Sequence, residues 1–65
     1  MLKNNGMELK VLDRLNDYTL LERVSDGCFI VAWYMETSGD KCSWASGHYI
    51  DNIEDAFNTF YRKAK

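Results

Sequence analysis

The chain contains no proline, and its only histidine is His48. It shows no internal repeat and no low-complexity stretch, so nothing in it marks a linker or a second domain. Two cysteines, Cys28 and Cys42, stand at a spacing that fits no zinc motif. With a single histidine beside them, a structural metal and a cofactor are both unexpected. The longest uninterrupted apolar run, Cys28 to Met35, is far short of a membrane span. The first residues, Met1-Leu2-Lys3-Asn4-Asn5-Gly6, carry no apolar signal-peptide core, and the expected location is the cytoplasm. Basic residues are in the minority, eight against ten acidic ones, for a net charge of −2. Binding to nucleic acid driven mainly by charge therefore starts at a disadvantage. Glycine-rich phosphate loops and paired-carboxylate sites are missing as well. No small-molecule substrate suggests itself, and catalysis is not expected.

What is present is globular. Apolar residues make up 46% of the 65 positions and aromatics 14%, too much of both for a disordered tail. A chain of this size buries only about 60% of its unfolded surface. It therefore depends on tight packing, on a second copy of itself, or on a partner.

Residues 1–6 read as a flexible polar arm, and residues 7–65 as a single α+β domain. Met7 to Asn16 is ambiguous between helix and strand. Leu9, Leu12 and Val11, Leu15 suit a short helix with Glu8, Lys10, Asp13 and Arg14 outside, and helix is the reading preferred. Tyr18 to Val24 reads as a strand, and Cys28 to Met35 is the strongest strand signal in the chain. Asp26-Gly27 between them is the preferred centre of a two-residue hairpin turn. That turn sets Val24 opposite Phe29, Glu22 opposite Val31, Leu20 opposite Trp33 and Tyr18 opposite Met35. Glu36 to Asp40 is a second turn, and Lys41 to Ile50 a third strand with Gly47 as a candidate bulge. In this register Cys28 and Cys42 lie too far apart along the ladder for a disulfide. Asp51-Asn52-Ile53-Glu54 matches a capping box with Asp51 as N-cap. Ile53, Ala56, Phe57, Phe60, Tyr61 and Ala64 then recur on one helical face, expected to lie on Phe29, Val31 and Trp33. The architecture expected is a three-stranded antiparallel sheet packed on one C-terminal helix, with a short helical or extended segment before it.

The second half of the chain also has a familiar order of residues. Gly27 is followed by Phe29, Val31 and Trp33, then by Gly47-His48-Tyr49, Glu54-Asp55-Ala56 and Phe60-Tyr61. This resembles the APETALA-type DNA-binding domain and the related N-terminal domains of phage-type integrases, over residues 18–64. The resemblance implies three strands followed by a packed helix, with the opposite sheet face docked in the major groove. Trp44-Ala45-Ser46-Gly47-His48-Tyr49 is more loosely similar to small uncharacterised phage and mobile-element proteins. That likeness implies an accessory protein of a bacterium or phage.

Two uses of the sheet face away from the helix follow. In one, Leu21, Ile30, Ala32 and Tyr34, with Arg23 at the rim, form an apolar surface for a protein partner or for self-association as a homodimer. In the other, Arg23, Lys41 and His48 contact nucleic acid. Base edges are read by bidentate Arg, Asn or Gln and the phosphates need several cations, whereas Arg23 is the only basic residue on that face of the first two strands. The protein-contact reading is therefore preferred: a small non-catalytic binding module.

Overall fold

A computed structural model describes residues 2–65; Met1 lies outside the described residues. Among the described residues, seven strands and one helix follow one another as β1 (Leu2–Asn4), β2 (Met7–Leu15), β3 (Tyr18–Arg23), β4 (Phe29–Trp33), β5 (Glu36–Ser38), β6 (Lys41–Ser43), β7 (Ser46–Ile50) and α1 (Ile53–Ala64). They form one mixed sheet in the order β5-β6-β1-β2-β3-β4-β7. The class is α+β, but the sheet has seven strands where three were expected.

Two of the additional strands come from the N-terminal segment. Leu2–Asn4, expected in a flexible arm, is β1, and Asn5-Gly6 is its turn into β2. Met7 to Asn16, ambiguous in the sequence with helix preferred, holds the longest strand of the sheet, β2. Its helix-like spacing has a specific cause. The β2–β3 register shifts between Val11 and Asp13, leaving Leu12 as the extra residue of a bulge. A bulge changes which face the following side chains occupy. Leu9 therefore joins a core on one face, while Leu12 and Leu15 pack on the helix-bearing face. Leucines three apart imitate a helix because the strand passes from one core to the other.

The β3–β4 hairpin has the expected faces but a different register. Arg23 N–H donates to Cys28 C=O at 2.7 Å, which makes residues 24–27 a four-residue loop. Gly27 closes it at φ +74°. Leu20 is thus opposite Val31 and Glu22 opposite Phe29, a slip of two residues from the two-residue-turn reading. A slip of two keeps every side chain on its own face.

The strand expected over 41–50 is broken at Trp44-Ala45, and its counterpart at Tyr34-Met35. β4–β5 and β6–β7 are therefore two sharply bent arms of one hairpin, closed by Gly39-Asp40 between the paired Ser38 and Lys41. Tyr34, at φ +56°, makes one bend. At the other, Ala45 N–H donates to Trp33 C=O at 3.0 Å, so the irregularity falls at Ala45-Ser46 and the ladder through Gly47 is regular. The tip of the hairpin folds back across the sheet, and β6 lies parallel beside β1. Lys3 N–H to Asp40 C=O (2.6 Å) and Asn4 Nδ2 to Cys42 C=O (2.7 Å) hold it there.

This folding-back gives the sheet two cores. On one face Leu20, Phe29 and Val31 meet Ala56, Phe60 and Ala64 of α1. On the other, Leu9, Leu21, Ile30 and Ala32 are covered by Met35 and Cys42, with Leu2 and Trp44 at the margin. Trp33, expected beneath the helix, is at the sheet margin and partly exposed. Helix α1 begins one residue later than the capping-box reading: Asn52, not Asp51, is the N-cap, accepting from Asp55 N–H at 3.1 Å. Its far end is tied to β2 and the turn after it. Tyr61 Oη donates to Asp13 Oδ2 at 2.8 Å, and Asn16 Nδ2 donates to Ala64 C=O. Glu54 and Asp55 in the first turn, and Arg62 and Lys63 in the last, suit the helix dipole. Both cysteines are free and buried.

Candidate protein-interaction surface

Three of the residues expected to form a free apolar face are not at the surface. Leu21, Ile30 and Ala32 are each 0% exposed, enclosed by the folded-back β5–β6 tip. The sequence pattern groups them on one apolar face, but the assignment of that face to a partner is overturned. The cover comes from the same chain.

Arg23 has a structural role that accounts for its position. Its guanidinium grips Asp26 through Nε to Oδ1 (2.9 Å) and Nη2 to Oδ2 (2.5 Å), bracing the four-residue loop. Asp26 Oδ1 also accepts from Cys28 N–H at 3.1 Å. The Arg23 hydrogen bond, and after it the Cys28 amide, lower the Asp26 carboxyl from 3.8 to about 2. A depressed carboxylate stabilises the fold above its unfolded value and loses that contribution as pH falls through its folded value. The stability difference between the parent chain and Arg23→Ala is therefore expected to close as pH drops from about 4 towards 2. Urea midpoints measured across that range check this, and a difference independent of pH would remove the ionic role from the pair.

The three residues of the nucleic-acid reading share no face. Arg23 is opposite Leu9 and on the side of Leu21, His48 is opposite Val31 on the helix-bearing side, and Lys41 is on β6 beside Lys3. Arg23 is in addition occupied by Asp26.

Tyr34 is the one expected interface residue that is strongly exposed, at 56%. Its ring stands edge-on to Trp33, with centroids 4.9 Å apart and planes at 79°. Its backbone is held by Tyr34 N–H donating to Asp17 C=O at 2.8 Å. Beside it lies a recess of about 290 Å³ that Arg14, Asp17, Met35 and Glu36 help to line. Tyr34, edge-on to Trp33, thus stands at the lip of a recess walled by charges of both signs.

Sequence reasoning assigned Trp33 to the core because it continues the alternation of Phe29 and Val31. Tyr49 is 55% exposed and lies 6.0 Å from the Arg23 guanidinium. Gly47, two residues before it, has a packing role of its own. A Cβ there would come within 2.8 Å of Trp44 Nε1, so the glycine makes room for an indole on the sheet. Among the described residues, no three histidine, cysteine or acidic side chains gather as a metal site would need. Nor is any helix there long and apolar enough to cross a membrane.

Comparisons with family models, curated proteins and solved structures return no match to this chain.

Proposed function

We propose that the chain is a small non-catalytic binding module that acts by protein–protein contact, with Trp33 and Tyr34 as its anchor. The observation that carries this reading is the backbone of Tyr34. A bulky residue at φ +56° costs roughly 1–2 kcal/mol relative to the right-handed region. Glycine would make the same bend without that cost. The edge-on contact with Trp33 returns about 0.5–1.5 kcal/mol, which at best offsets the strain. Intramolecular packing alone thus gives little reason for an exposed tyrosine at this bend. Tryptophan and tyrosine are the residues that most often carry binding energy at protein interfaces.

The test is Tyr34→Gly. Its urea stability is expected to stay within about 1 kcal/mol of the parent, since strain and stacking are removed together. Cross-linking to the partner that the parent chain captures is expected to be lost. Retained capture by the folded variant would refute the assignment.

A further inference from the structure

The two outer edges of the sheet are built differently. β5 is three residues long, wholly exposed and headed by Glu36, the short charged form that discourages further pairing. β7 is five residues long and contains no proline, lysine, aspartate or glutamate. Helix α1 packs mainly on β3 and β4 and only lightly on β7, and β7 stands last in the strand order, with no strand on its outer side.

The backbone directions on that edge follow from the hairpin beside it. Arg23 and Cys28 are a hydrogen-bonded pair, and in an antiparallel ladder such pairs alternate. Ile30 and Ala32 therefore turn their backbone groups to β3, while Phe29, Val31 and Trp33 turn theirs to Ile50, His48 and Ser46 of β7. The bond from Ala45 N–H to Trp33 C=O agrees with this direction. On β7, the residues whose N–H and C=O point away from the sheet are then Gly47 and Tyr49.

We propose that β7 pairs antiparallel with β7 of a second copy of this chain, about a two-fold axis at His48. The argument is self-complementarity. A two-fold axis normal to a continuous sheet brings together residues of the same face, and the register centred on His48 engages all five residues of the strand. In that register Gly47 of one copy meets Tyr49 of the other, and each such pair exchanges both backbone hydrogen bonds. The largest side chain on that face of the edge meets the residue without one. The exposed Tyr49 ring is thereby carried against the Trp44 indole that covers the other copy's Gly47. Ser46 meets Ile50 on the opposite face, and the two His48 side chains meet each other. This rests on the β7 edge, a different observation from the Tyr34 bend.

The test is sedimentation equilibrium and backbone amide exchange on the full chain from micromolar to millimolar concentration. The mass is expected to rise towards twice the monomer value, with exchange slowing at Gly47 and Tyr49 as it does so. Tyr49→Pro removes an outward-pointing N–H without breaking the β4–β7 ladder, and is expected to hold the chain monomeric. His48→Lys, an exposed change that keeps the ladder intact, puts two like charges opposite each other and is expected to shift dimerisation to higher concentration at low salt. A parent chain that stays monomeric to millimolar concentration would overturn the proposal. So would a dimer of unchanged affinity in the folded His48→Lys variant, or amide protection at Gly47 and Tyr49 that ignores concentration.

Discussion

Phe60→Ala is expected to leave the chain largely unfolded at 25 °C. The ring is wholly buried at the centre of the helix-facing core, with Leu20, Phe29, Val31 and Ala56 around it. Truncating a buried phenylalanine costs about 3–5 kcal/mol, part from lost burial and part from the cavity left behind. A single small domain of this size has about that much stability in total. Far-UV circular dichroism against urea reads the outcome. A cooperative transition with its midpoint only slightly lowered would mean that α1 contributes less than its buried face implies. Phe57, one turn earlier and only half-buried, gives the internal comparison: its alanine variant is expected to stay folded.

Ile30→Asp is expected to be as damaging, for a different reason. Ile30 lies in the second core, beneath the folded-back hairpin tip. A carboxylate there is taken out of water with no cation in that cluster to meet it, which costs several kcal/mol. Loss of amide dispersion in a two-dimensional NMR spectrum is the expected result. An aspartate at an exposed position would instead leave the spectrum dispersed and alter only association. The substitution thus separates an enclosed core from a free apolar face. The sequence pattern alone describes both in the same way.

That ambiguity shows how far the sequence could be read. Ile53, Ala56, Phe57, Phe60, Tyr61 and Ala64 identify α1 because helical periodicity is local, and no distant contact is needed to see it. The faces of β3 and β4 are legible for the same reason, although the four-residue loop moves their register. The fold of residues 2–15 was not legible. The bulge at Leu12 changes face parity in mid-strand, and a period-two pattern cannot show that. The return of β6 to β1 leaves still less trace. It is held by main-chain bonds such as Lys3 N–H to Asp40 C=O, and backbone groups carry no side-chain signature. Tyr34 hides its own bend, since nothing in a tyrosine announces a left-handed backbone. Of the five residues expected at the interface, three became core through that undetected return, Arg23 became a loop brace, and Tyr34 alone is strongly exposed.

The parallel contact of β1 with β6 has a consequence for the order of events in folding. Asn4 and Cys42 are 38 residues apart in sequence, whereas the β3–β4 hairpin closes over four residues and α1 forms within twelve. Loop-closure entropy delays long-range pairings relative to local ones. The β1–β6 clasp therefore closes after the β3–β4 hairpin and α1. Until it closes, Leu21, Ile30 and Ala32 face water, so a nascent or partly opened chain presents the apolar surface that the finished fold conceals.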